Sequence, residues 1–143
     1  MKVLVLNGPN INFLGIREKN IYGTVNYENL CSYIKENAER LHIDVDIKQS
    51  NIEGELINII QDAYQKYDYI VINPGAYTHY SIALFDAIKS VSIPTIEVHI
   101  SNIHSREEFR RKSVTAPACK GQLCGFGIYG YIMALEAICS GLE

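Results

Sequence analysis

Apolar and polar positions fall into blocks along this chain, and the period of each block predicts an element. Lys2-Val3-Leu4-Val5-Leu6-Asn7 is a continuous apolar run of strand length, the kind that a sheet covered on both faces requires. Tyr27, Leu30, Cys31, Ile34, Ala38 and Leu41 then recur at helical spacing. Residues 43–47 alternate as a strand. Ser50-Asn51-Ile52-Glu53 fits a capping box, after which Leu56, Ile57, Ile60, Ala63, Tyr64 and Tyr67 continue a helical face. Residues 69–73 form a second buried strand, and residues 79–90 read as a helix. Residues 95–99 are a further strand, followed by a short charged helix opened by the capping box Ser105-x-x-Glu108. Residues 122–126 suit a short edge strand, and residues 128–140 close the chain as a nearly all-round apolar helix.

Strands alternating with helices of these lengths mean βαβ units, right-handed crossovers and a mainly parallel sheet. Five strands predict a flavodoxin-like doubly wound α/β sandwich of order 2-1-3-4-5, with helices on both faces. In that order ligands bind beyond the carboxyl ends of strands 1, 3 and 4. The three least core-like segments, residues 7–25, 73–79 and 99–110, follow those strands. No repeat, linker or low-complexity tract interrupts the pattern, so residues 1–143 are expected to form a single domain, with residues 15–24 as a lid loop.

Composition narrows the class of function. Of 143 residues, 48% are hydrophobic and 20% charged, which is the balance of an ordinary globular domain and not of a disordered chain. The net charge of −3 argues against a nucleic-acid binder, whose affinity rests on basic surface. No apolar run approaches the ~20 residues of a membrane span, and Met1-Lys2 leads into a strand and not a signal peptide, so a cytoplasmic protein without membrane contact is expected. Cys31, Cys119, Cys124 and Cys139 show no metal-ligand or redox spacing; Cys31 and Cys139 fall on apolar helix faces as small hydrophobes.

The segments that remain can carry chemistry. Residues 7–23 are about 17 residues between a strand and a helix, where two to six is usual, and their glycines lack phosphate-loop spacing. Arg17 and Tyr22, bracketed by Gly15 and Gly23, either swing together over a pocket or are a solvated arginine and a loop-packing tyrosine. Asn73-Pro74-Gly75 ends strand 3 in an amide and turns backbone N–H groups toward the cleft, with His79 expected at a helix N-terminus that favours its neutral form. Glu97 and His99 share one face of a buried strand, so they are either an ion pair or functional. Arg106 and Arg110, at i and i+4, either hold a carboxylate or pair with neighbouring acids.

Taken together, these segments resemble one family, the type II 3-dehydroquinate dehydratases. The resemblance runs through Asn7-Gly8-Pro9-Asn10-Ile11-Asn12-Phe13-Leu14-Gly15 with Arg17-Glu18 and Tyr22-Gly23, then Gln49-Ser50-Asn51 and Glu53-Gly54. It continues through residues 73–79 with Ala83-Leu84 and Asp86-Ala87, residues 97–102, residues 106–110 with Ser113, and residues 125–131. Lys19 stands where the family usually has proline, and Phe85 where many members carry arginine.

The resemblance implies reversible anti elimination of water from 3-dehydroquinate through an enolate, without Schiff base, metal, flavin or nucleotide. No lysine sits at a candidate catalytic strand end, in agreement. The resemblance assigns Tyr22 as proton acceptor, Asn10 as holder of a water for the enolate, and His99 as proton donor; Arg17, five residues before Tyr22 on the same lid, is the cation expected to tune it. Glu97 is the natural orienter of His99. Asn73, His79 and Arg110 match groups that bind ring hydroxyls, the backbone N–H groups of Ile100 and Ser101 match the carboxylate site, and Asp86 belongs to the binding set from a neighbouring subunit. The implied assembly is a dodecamer of trimers. The alternative class is a non-catalytic flavodoxin-like binding or signalling domain, but Asn7-Gly8-Pro9 and Asn73 supply neither a flavin phosphate loop nor an acidic cluster.

Overall fold

The fold was analysed in a computed structural model that describes residues 1–16, 18–22 and 24–142, the side chain of Tyr22 excepted. Five strands form one parallel sheet: β1 (Lys2–Asn7), β2 (Asp44–Gln49), β3 (Tyr69–Asn73), β4 (Thr95–His99) and β5 (Gly121–Cys124). Their order is β2-β1-β3-β4-β5, as the alternation predicts. The α-helices are α1 (Lys19–Tyr22), α2 (Tyr27–Arg40), α3 (Glu53–Asp62), α4 (Ile82–Val91) and α5 (Tyr129–Cys139).

The period-2 geometry of the strands divides the core in two. Val3, Val5, Val71, Ile96 and Val98 face one side, where they pack with Leu30 and Ile34 of α2 and Tyr131 and Leu135 of α5. Leu4, Leu6, Ile70 and Ile72 face the other, against Leu56 and Ile60 of α3 and Leu84 and Ile88 of α4. Such two-sided burial explains why β1 and β3 lack an alternating polar face.

Four local readings are corrected by the structure. The Ser50 hydroxyl accepts from the Ile52 N–H and donates to Glu55, so Glu53 is the first residue of α3 and not the partner in a capping box. Around residue 105 there is no α-helix. Asn102 caps the His104 N–H, Ser105 donates back to the Asn102 carbonyl, and Arg106 is extended, leaving two 3-10 turns at Ile103–Ser105 and Glu108–Arg110. The helix expected from residue 79 begins later, at Ile82, because the Ser81 hydroxyl caps the Leu84 N–H; residues Gly75–His79 form a separate 3-10 turn. His79 is thus not in the first turn of an α-helix. Cys139, expected on an apolar face, is exposed, with its sulfur 3.9 Å from the Leu41 carbonyl.

The carboxyl ends of β1 and β3 meet at one glycine. The Gly8 N–H donates to the Asn73 carbonyl at 2.7 Å, and a Cβ placed on Gly8 would lie 2.5 Å from the Pro74 carbonyl oxygen. Backbone on both sides leaves nothing flexible to move aside. Gly8→Ala is therefore expected to cost about 1–3 kcal/mol of stability, the range for overpacking a filled site, measurable as a fall in Tm. An unchanged Tm would mean that the two loops separate without cost.

Candidate active site

Beyond the carboxyl ends of β1, β3 and β4 lies a cavity of about 130 Å³. Its wall is assembled from the three segments singled out in the sequence. Pro9, Asn10, Ile11 and Leu14 follow β1, and Asn73, Gly75, Ala76 and His79 follow β3. The end of β4 and its following turns add His99, Ile100, Ser101, Ile103, Arg106 and Arg110. A more open cleft adjoins it through Ile100, Ser101 and Arg106 and is lined also by Ile21 of α1. Arg17, Gly23 and the Tyr22 side chain lie outside the described residues.

At the floor, His99 and Glu97 alternate along β4 on the same face. The His99 Nε2–H donates to Glu97 Oε2 at 3.0 Å, which leaves Nδ1 as the ring's other nitrogen. Glu97 has no exposed surface, yet it is surrounded by donors: Ser113 Oγ at 2.8 Å and Gln122 Nε2 at 2.6 Å reach Oε2, and Thr115 Oγ1 reaches Oε1. Burial works against its charge. The hydrogen bonds from His99, Thr115 and Gln122, with the charge of the His99 ring, outweigh burial and hold the carboxyl below its ordinary range.

His79 reaches the cavity from the turn after β3. Its Nδ1 donates to the Lys112 carbonyl at 2.7 Å, and burial, reinforced by the nearby charges of His99 and Arg110, lowers its pKa. A neutral ring fixed in that way presents Nε2 as an acceptor for a hydroxyl. The neutral form follows from burial and not from a helix N-terminus. The Arg110 guanidinium lies 2.9 Å from Glu107 and Arg106 lies 3.9 Å from the same carboxylate, so both arginines line the cavity while turned toward one exposed acid.

Asn73 ends β3 beside Asn7, its register partner at the end of β1. The Tyr131 hydroxyl, rising from α5 without any exposed surface, donates to Asn7 Oδ1 at 2.7 Å and accepts from Asn73 Nδ2 at 2.9 Å. The Gly75 N–H donates to Asn73 Oδ1 at 3.1 Å. The amide is held at both ends. Asn10 sits in the left-handed region with φ 68°, and its N–H donates to Asn51 Oδ1 at 3.0 Å. Asp86, in contrast, is exposed on α4 and does not line the cavity of its own chain.

Eight of the expected site residues are therefore brought together: Asn10, Asn73, His79, His99, Ile100, Ser101 and Arg110 on the wall, with Glu97 directly behind. Sequence reasoning gave no role to Asn7, Tyr131, Thr115 and Gln122, whose partners lie far off in the chain, although Asn7 and Tyr131 stand in motifs that carry the resemblance. Among the described residues, no group of three or more His, Cys, Asp or Glu side chains could hold a metal ion. Burial pushes the Cys119 thiol up to about 12 and the Cys124 thiol up to about 11, so neither is a thiolate at neutral pH.

Comparison with known proteins places this chain in a family. The model of the family described as Dehydroquinase class II matches residues 1–139. The chain belongs to the class II dehydroquinases. The 3-dehydroquinate dehydratase of Clostridium acetobutylicum is 70% identical over 138 residues, spanning 96% of both chains. The crystal structure of the type II dehydroquinase from Butyrivibrio crossotus superposes with a TM-score of 0.96 at 59% identity, covering 99% of this chain and 98% of that one. The corresponding enzyme from Propionibacterium acnes gives 0.94 at 42% identity, covering 97% and 96%. The expected family and fold both stand.

The Asn7–Tyr131–Asn73 bridge generates a prediction. Tyr131→Phe keeps the ring and deletes the hydroxyl that bridges two buried amides, so it should cost about 1–3 kcal/mol of stability. Denaturant unfolding measures this directly. A variant as stable as the parent would show that the amides satisfy each other without the phenol.

Proposed function

We propose that the cavity performs the type II dehydration by anti elimination through an enolate, with Tyr22 as base and His99 as acid. The activity itself follows from the family: the chain is a type II 3-dehydroquinate dehydratase, a hydro-lyase of the shikimate pathway. The residue roles are the proposed part. The observation that carries them is a buried carboxylate–imidazole pair opening onto a cavity of neutral donors and two arginines.

The reaction removes a weakly acidic proton alpha to a ketone and expels a hydroxyl. A free tyrosine has a pKa near 10, so half-ionisation near neutral pH needs a shift of about three units, roughly 4 kcal/mol. Arg17, five residues before Tyr22, is the cation assigned to supply it, and closure of the lid formed by residues 15–24 would strengthen the pairing by excluding water. The enolate oxygen needs a preorganised donor, for which Asn10 holds a water. His99 protonates the departing hydroxyl from Nδ1 while Glu97 holds Nε2. Asn73, His79 and Arg110 bind the ring hydroxyls, and the N–H groups of Ile100 and Ser101 bind the carboxylate of 3-dehydroquinate.

Asp86 completes the site from a neighbouring subunit, which agrees with its exposed place outside its own chain's cavity. The assembly is a dodecamer of four trimers, acting in the cytoplasm on a small molecule, without cofactor, metal, nucleic acid or membrane. Among the described residues no helix is long and apolar enough to cross a membrane. The non-catalytic flavodoxin-like reading is not favoured.

Mixing the protein with 3-dehydroquinate should produce the absorbance of the conjugated enone, and borohydride should not abolish it. No absorbance change, or inactivation through a trapped imine, would contradict the mechanism. Tyr22→Phe should nearly abolish turnover while leaving the fold intact. Adding Arg17→Ala to Tyr22→Phe should cost little more, because no base is left to tune. Fully additive losses would mean that Arg17 works independently.

A further inference from the structure

Behind the cavity, residues 112–115 run past both site histidines. The Lys112 carbonyl accepts from His79, the Val114 N–H donates to the Thr78 carbonyl at 2.7 Å, and Ser113 and Thr115 both donate to Glu97. Thr78, which precedes His79, closes the group with its own hydroxyl, 2.8 Å from Ser113 Oγ and 2.7 Å from Thr115 Oγ1.

The donors to Glu97 are distributed unequally. Oε2 receives His99, Ser113 and Gln122, so losing one leaves two. Oε1 receives only Thr115 among the described residues. A carboxylate held at one oxygen can turn about its last bond; held at both, it cannot. Thr115 is fully buried, and no surface role competes for its hydroxyl. Because both Oε2 and the His99 ring depend on the plane of this carboxylate, a rotation at Glu97 would swing the partner of His99 Nε2 out of line.

We propose that Thr115 is a positioning residue of the dehydration: its hydroxyl locks the plane of the Glu97 carboxylate and thereby aims His99 at the departing hydroxyl. The inference rests on the reading of His99 as proton donor. It touches no substrate itself, so its loss should show in turnover and not in ground-state binding.

The test uses steady-state kinetics of the intact enzyme. Thr115→Val, nearly the same in shape, should lower kcat about tenfold and leave KM within about twofold. Thr115→Ser, which keeps the hydroxyl, should recover most of that loss. In a His99→Ala background Thr115→Val should cost nothing further, since no ring remains to be aimed. Thr115→Ala serves the same comparison if the valine variant does not fold. Parental kcat in Thr115→Val or Thr115→Ala, failure of serine to rescue, or an equal loss in the His99→Ala background would each overturn the positioning role. Parental kcat in His99→Ala alone would instead overturn the proton-donor reading, and this inference with it.

Discussion

A negative charge with no exposed surface has to be satisfied from every side, and Glu97 imposes that requirement on the middle of the site. Four side chains from three segments converge on it. His99 comes from the same strand, Gln122 from the edge strand β5, and Ser113 and Thr115 from the irregular segment between them. Replacing the carboxylate by an apolar group would leave those donors unpaired in turn, so the cluster stands or fails together. Its chemical consequence is directional: a carboxylate that accepts the Nε2 proton leaves Nδ1 as the nitrogen facing the cavity, where it donates only once it too carries a proton.

The sheet supplies the remaining geometry. β1, β3 and β4 are neighbours, and each ends on a polar side chain: Asn7, Asn73 and His99. Their apolar interiors are consumed by two helix layers, so the carboxyl ends are where polar groups can stand without penalty. Tyr131 links the first two ends from the helix layer. The close approach at Gly8 keeps the loops after β1 and β3 against each other, so their side chains face one volume. A site on strand ends is more rigid than one on free loops, which suits a reaction that requires an acid and a base on defined sides of a ring.

Much of this was legible in the sequence because it is periodic. Two-sided apolar strands and 3.6-residue stripes identify the layers, and the three segments that break the pattern are the ones that line the cavity. Legibility fails where several local solutions compete. Ser50 and Ser105 both satisfy a capping-box pattern, yet each hydroxyl found another partner, Glu55 in one case and the Asn102 carbonyl in the other. Ser81, inside the helix expected over residues 79–90, was the true cap. Tyr131 and Thr115 were missed because their partners lie 124 and 18 residues away, and a lone hydroxyl in a sequence says nothing of the buried oxygen that it will meet.

The central claim is that the buried Glu97 carboxylate sets which nitrogen of His99 faces the cavity. Nitrogen NMR of the ligand-free protein labelled in its histidine rings tests this directly, at a pH where the His99 ring is neutral. The account predicts that the retained proton is on Nε2, toward Glu97, and that Nδ1 is the nitrogen that gains and loses a proton. A neutral ring protonated on Nδ1 instead would contradict it, and would leave Glu97 without the partner around which the site is built.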